Sequence, residues 1–323
     1  MTYGRRLYII KYNLMYIVYN EKGEITMKKI KIHAMAKINL GLDVLRRRED
    51  GYHDVKMIMQ TVDLYDILTF EKKELPGIVL KTNHKMIPTD ESNLIYKAAK
   101  LLMEECSVSE GVEITLIKQI PVAAGMAGGS TDAAAAFIGI NELFGLGVKK
   151  DRLKELAVTL GADIPYCIEG GTFLSEGIGE ILSPLPAPPS CFLVVAKPKI
   201  SVSTAYVYKN LCLEELKKHP RIDEMVHGIR KKDLKLICDC MENVLETVTE
   251  KKYEEISILK DMLKKKGALN SLMSGSGPTV FGVFEKEEIA KEALKAVEES
   301  GLCEQCVLTS FIEKAQWIME SEE

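Results

Sequence analysis

A chain of 323 residues that is 46% hydrophobic and 28% charged has enough apolar material for two cored domains, which excludes a disordered polypeptide. Its net charge of -4 and pI of about 5.9 exclude a global positive field for holding nucleic acid or an anionic membrane, so any phosphate must be held by local geometry. The 8 cysteines are too sparse for a disulfide scaffold and fit buried thiols in a reducing compartment.

Residues 1–26 contain an apolar stretch from Leu7 to Tyr19 that Lys11 and Asn13 interrupt. It is too short to span a bilayer, and no small-residue cleavage site follows Arg5 and Arg6. A poorly ordered extension is expected there. From Ile30 to Val44 apolar residues alternate with polar ones, which predicts a long strand with one buried face. Lys37 and Asn39 share its other face, about 6 to 7 Å apart, and from spacing alone they read as a solvated face.

The Asp-Gly of REDGYHD (48–54) signals a turn, and 55–71 reads as a returning strand. Tyr52 and His53 read there as turn and loop residues. Asp90, Ser92 and Asn93 precede a helix starting at Leu94, and 112–120 alternates as a strand. That strand runs into PVAAGMAGGSTDAAA (121–135), after which an alanine-rich helix is expected to end near Gly145 or Gly147. The segment from Leu213 to Lys266 reads as helical, with solvated charged faces. Cys303 and Cys306 form one CxxC with no second pair at zinc spacing, and their surroundings read as strand. No protein metal ligands are assigned.

A strand-to-loop-to-helix junction rich in small residues has two readings. Unpaired amides at a helix N-terminus, with the positive end of its macrodipole, attract an anion where the backbone can approach. Gly125, Gly128 and Gly129 permit that approach and tolerate positive φ. Ser130 or Thr131 can cap the helix or meet a phosphate. The other reading is close packing of a small-residue helix on a sheet. GxxxxGK[ST] does not occur, GIGEIL and GSGPTV both lack the third glycine of GxGxxG, and protein-kinase HRD and DFG elements are missing.

Three ordered segments, AKINLGLDVL (36–45), PVAAGMAGGSTDAAA (121–135) and NSLMSGSGPTVFGVF (270–284), resemble the three motifs of the GHMP small-molecule kinases. DGYH, QTVDLYD and LGADIPYC add a likeness to the branch acting on a cytidine-diphosphate-linked methylerythritol. The match runs from Met27 to about residue 315. Met126 and Ala127 stand where many members have leucine and glycine or serine, small or apolar changes that leave the loop intact.

The resemblance implies an α+β, two-domain GHMP kinase fold. Residues 27–186 would form an N-terminal ATP-binding domain like ribosomal protein S5 domain 2, and 187–323 a ferredoxin-like C-terminal domain. Their boundary would fall in the proline-dense SPLPAPPS (183–190). It implies Lys37 and Asp163 at the reacting hydroxyl, although without the family Asp163 reads as the cap of a short turn. It implies that Pro121, Val122, Ala123, Ala124, Gly125, Met126, Ala127, Gly128, Gly129, Ser130 and Thr131 bind ATP. Asn39, Tyr52, His53, Thr204 and Tyr206 would bind the acceptor, and Gly275, Ser276 and Gly277 would support the phosphate loop. The implied reaction moves the ATP γ-phosphate to the 2-hydroxyl with Mg²⁺, a step of the non-mevalonate route to isoprenoid precursors. Expected partners are a small-molecule substrate, with no nucleic acid and no membrane, in a cytoplasmic monomer or homodimer.

Overall fold

The computed structural model describes residues 9–12, 15–18, 28–313 and 319–322. Within the expected N-terminal extension, Ile9–Tyr12 (β1) pairs antiparallel with Met15–Val18 (β2). The rest of 1–26 lies outside the described residues. The alternation from Ile30 becomes β3 (Lys29–Arg47), which turns through 48–52 into β4 (His53–Lys73).

Strand β3 departs from the expected single buried face, because both faces are covered through its middle. The pairing with β4 shifts register between Met35 and Lys37, again between Asn39 and Gly41, and a third time near its end between Val44 and Arg46. Such bulges insert an unpaired residue and exchange which side chains face each way. Accordingly Ile30, Ile32 and Ala34 enter one core, Ala36, Ile38 and Leu40 enter another, and Leu42 and Val44 return to the first.

The chain continues through β5 (Gly77–Thr82), α1 (Leu94–Glu105), β6 (Gly111–Ile117), α2 (Gly128–Leu143), α3 (Lys150–Val158), α4 (Ile164–Glu169), β7 (Thr172–Glu176) and β8 (Ile181–Leu185). The sheet runs β3-β4-β6-β5, with β7 beside β4 and β8 beside β7; β5 and β6 are parallel. Strand β6 stops at Ile117, before the predicted end at 120, because the Asp66 carboxylate accepts the N–H groups of Gln119 and Ile120. Helix α1 begins as expected, with the Asn93 side chain accepting from the Ile95 N–H.

A second sheet follows from β9 (Phe192–Pro198). Helices α5 (Thr204–Asn210), α6 (Ile222–Lys231), α7 (Leu234–Asp239), α8 (Glu246–Lys252) and α9 (Glu254–Lys265) precede β10 (Asn270–Met273), β11 (Val280–Phe284), α10 (Glu287–Glu299) and β12 (Cys303–Ser310). Its order β10-β11-β9-β12, antiparallel throughout, is the ferredoxin-like order. Cys303 and Cys306 lie in β12, and the eight cysteines are free thiols. Finally β13 (Met319–Glu322) pairs with β3. Among the described residues no helix is long and apolar enough to cross a membrane.

Helix α2 is buried almost all round, so its surroundings decide each residue. A Cβ at Gly139 would lie 2.5 Å from Phe70 Cε2. Phe70 is itself fully buried and cannot withdraw. Gly139→Ala should therefore destabilise by about 1–3 kcal/mol through overpacking, outweighing a helix-propensity gain of about 1 kcal/mol. A lowered urea midpoint at unchanged slope is the expected observation.

Candidate active site

The first two bulges of β3 turn Lys37 and Asn39 into a cleft of about 1130 Å³ lined by the loop before α2, the start of α5 and the 274–279 turn. Lys37 Nζ donates to Asn39 Oδ1 at 2.8 Å and stands 3.8 Å from Asp163 Oδ2. The Lys37 side chain is 6% exposed, whereas Asp163 is 35% exposed. The cation is thus fixed inside the wall while the carboxylate reaches the cavity. Asp163 occupies the N-cap position of α4 but makes no side-chain cap bond, so its oxygens remain directed to the site.

The phosphate-loop candidate is built differently from its sequence reading. Positive φ falls on Ala123, Gly125 and Ala127, and not on Gly128 or Gly129. Ala127 is the N-cap residue of α2 and offers no side-chain acceptor. Neither Ser130 nor Thr131 caps the helix. Thr131 Oγ1 instead donates to Met35 O at 2.7 Å, and Lys37 N donates to Met126 O at 3.2 Å, at the first bulge of β3. The leading amides of α2 therefore carry the positive end of the helix without a side-chain partner at the cap. Pro121 to Gly125, Ala127, Gly128, Gly129 and Ser130 line the cleft. Met126 and Thr131 are buried and anchor the loop from behind.

The turn after β10 closes on this loop. Ser274 Oγ donates to Gly125 O at 2.9 Å, and a Cβ at Gly125 would lie 2.2 Å from Ser274 O. A Cβ at Gly275 would meet Gly125 O at 3.1 Å and Asn39 Oδ1 at 3.5 Å. All three sequence motifs therefore meet at one point. Asn243 Nδ2 donates to the carbonyls of Met273 and Gly275, both at 2.8 Å, and holds the turn from outside.

Of the expected acceptor residues, Asn39, Tyr52, His53 and Thr204 line the cleft. Thr204 Oγ1 lies 2.8 Å from Ser276 Oγ. Tyr52 is 59% exposed at the mouth. Burial, and then the Arg47 charge, lower the His53 imidazole below its ordinary value. Tyr206 is a correction, because its ring lies under Lys252 Nζ at 3.9 Å from the centroid and does not line the cleft. Tyr208 lines it instead, with its ring 5.1 Å from that of His53. Helix α5 starts at Thr204, and a residue four further on shares its face while one two further on does not. Burial pushes the Tyr208 hydroxyl above its usual range, and the nearby Asp163 adds to this.

Lys118, Asp66 and Asp132 were not read from the motifs. Lys118 Nζ reaches Asp66 Oδ2 at 2.5 Å and Asp132 Oδ2 at 2.7 Å, and Lys118 and Asp132 also line the cleft beside the loop. In strand 112–117 the even positions Val112, Ile114 and Leu116 are buried, so the signal was a lysine at the next even position.

A helix terminus open to an anion, facing a lysine–carboxylate pair in this two-sheet fold, defines a small-molecule kinase of the GHMP class. The family models "GHMP kinases N terminal domain" and "GHMP kinases C terminal" match residues 93–171 and 225–302. The chain is 50% identical over 287 residues to 4-diphosphocytidyl-2-C-methyl-D-erythritol kinase of Lachnoclostridium phytofermentans, covering 89% of this chain and 99% of that one. A crystal structure of 4-(cytidine 5'-diphospho)-2C-methyl-D-erythritol kinase superposes with TM-score 0.75 at 31% identity, covering 87% and 98%. Homoserine kinase from Cytophaga hutchinsonii shares the fold at 20% identity, with TM-score 0.75 over 93% and 99%. The chain belongs to the 4-diphosphocytidyl-2-C-methyl-D-erythritol kinase family.

Gly125→Ala should raise the ATP dissociation constant by about tenfold or more, since it combines positive-φ strain with a backbone clash that no rotamer relieves. Calorimetric titration with Mg·ATP is the check, beside an unchanged circular dichroism spectrum.

Proposed function

We propose that this chain transfers the γ-phosphoryl group of ATP to the 2-hydroxyl of 4-diphosphocytidyl-2-C-methyl-D-erythritol, a step of the non-mevalonate route to isoprenoid precursors. The observation that carries the reading is the Lys37–Asp163 pair at 3.8 Å, sharing one cleft with the start of α2. The amides of 128–130 hold the phosphates, with apolar Ile87, Pro88 and Leu94 lining the nucleotide end. Asp163 takes the proton of the acceptor hydroxyl as its oxygen bonds to phosphorus and the bond to the ADP oxygen breaks. Lys37 orients that hydroxyl and offsets charge developing on the transferred group. The division into an ATP-binding half (27–186) and a second half (187–323) stands with this reading.

The cytosine end rests on Tyr52, His53, Tyr208 and Thr204, while Asn39 couples Lys37 to Met57 through an Nδ2 to Sδ contact of 3.1 Å. For Mg²⁺, the donor chemistry fits an ion carried on the triphosphate. Among the described residues no group of three or more His, Cys, Asp or Glu could hold a metal, and Ser130 supplies a hard hydroxyl oxygen at the cleft. When bound, Mg²⁺ would neutralise negative charge on the triphosphate, with the Ser130 hydroxyl as the nearby oxygen of the cleft.

The test is ADP release by purified protein with ATP, Mg²⁺ and the cytidyl substrate. Asp163→Asn is expected to lower kcat by about 10²-fold or more with the substrate still bound. Full rate in that variant removes Asp163 as the base. Turnover of mevalonate or homoserine in place of the cytidyl substrate overturns the acceptor.

A further inference from the structure

Lys118 brings a buried cation to a loop whose own sequence has none. Its ammonium joins two carboxylates from different elements: Asp66 in β4 and Asp132 in α2. The other Asp66 oxygen accepts the N–H groups of Gln119 at 2.6 Å and Ile120 at 2.8 Å. One carboxylate thus fixes the backbone entering the loop, and the ammonium ties that backbone to the helix leaving it. Burial opposes the charged ammonium, but Asp132 and Asp66 outweigh it and hold Lys118 above its ordinary range.

Gly128 records the same constraint. Its φ is not positive, so its backbone conformation does not require glycine. A Cβ there would stand 2.9 Å from Lys118 Nζ and 3.2 Å from Ile120 Cγ2. A free lysine tip would move aside cheaply, whereas this one is held on two sides. The absent side chain is what lets the ammonium seat against the first residue of α2.

We propose that Lys118 is a positioning residue for ATP: clamped between Asp66 and Asp132 against Gly128, it sets the amides at the start of α2 in place for the nucleotide phosphates. It acts through the loop and leaves the proton transfer at Asp163 to the other wall of the cleft. This rests on the reading above that the phosphates of ATP lie at the α2 terminus.

The experiment measures the Mg·ATP dissociation constant by calorimetry, which does not depend on the acceptor, together with kcat and both KM values. Lys118→Met should raise the ATP constant about tenfold, with kcat and the acceptor KM changing less than about twofold. Because that variant leaves two buried carboxylates without their cation, a double-mutant cycle is the second arm. Gly128→Ala should weaken ATP about fivefold in the wild-type background. In the Asp132→Asn background, where the ammonium keeps Asp66 but is free to shift, it should cost less than about twofold. Equal factors in both backgrounds overturn the proposal. So does a lowered melting temperature with unchanged ATP affinity, which would mark a structural role alone. A Lys118→Met loss confined to kcat would instead place the ammonium at the transferred group. If wild-type protein binds Mg·ATP yet ignores the cytidyl substrate, the acceptor reading falls while the cycle remains decisive for Lys118.

Discussion

Two bulges in β3 decide where everything else goes. Without them a strand with this alternation would turn all its even residues to one core and leave Lys37 and Asn39 on a uniform opposite face. With them, Ala36, Ile38 and Leu40 point toward α6 and the second sheet, packing with Ile222, Met225 and Leu193. The same exchange lifts Lys37 and Asn39 into the cleft. The ladder groups that the first bulge disturbs are not wasted, because Met35 O accepts from Thr131 in the first turn of α2 and Lys37 N donates to Met126 in the loop before it. One irregularity therefore places a cation, cements two halves and fastens the anion loop.

The anion site itself depends on what is withheld. A serine or aspartate at the Ala127 position would satisfy one of the leading amides of α2 internally and reduce its call on a ligand. Alanine in a left-handed conformation at 127 supplies the turn without supplying an acceptor. Strain of order 1–3 kcal/mol at such a residue persists only where neighbours enforce it. Here the enforcement comes from Ser274 on Gly125 and from Thr131 on Met35.

Strand periodicity, the Asp-Gly turn and the helix start at Leu94 were legible because each is a local rule obeyed locally. The family resemblance set Lys37, Asp163 and the loop at one reaction, and these residues line one cleft. What escaped was non-local or angular. The alternation of β3 continues unbroken through both bulges, so nothing in it announces the exchange of faces. Tyr206 and Tyr208 differ only by helical phase, and that phase is set by the Ser203 cap of α5. Lys118, Asp66 and Asp132 each sit where an apolar residue is expected, at the end of an inward-facing series, within Leu64 to Phe70 of β4, and at the head of a run of buried alanines. Charges on faces otherwise apolar must find one another.

The proline-dense stretch between β8 and β9 marks a change of sheet, yet the chain crosses back repeatedly. Leu42 bridges to Asn243, Val62 to Phe311, and β13 returns to the edge of β3. The largest apolar cluster takes residues from both sides, Ile30 and Phe70 from one, Val194 and Phe284 from the other. Severing the chain at 183–190 would not release two independent folding units. Each fragment would expose apolar surface that the other covers, so the cleft is a seam along a shared core rather than a hinge between parts.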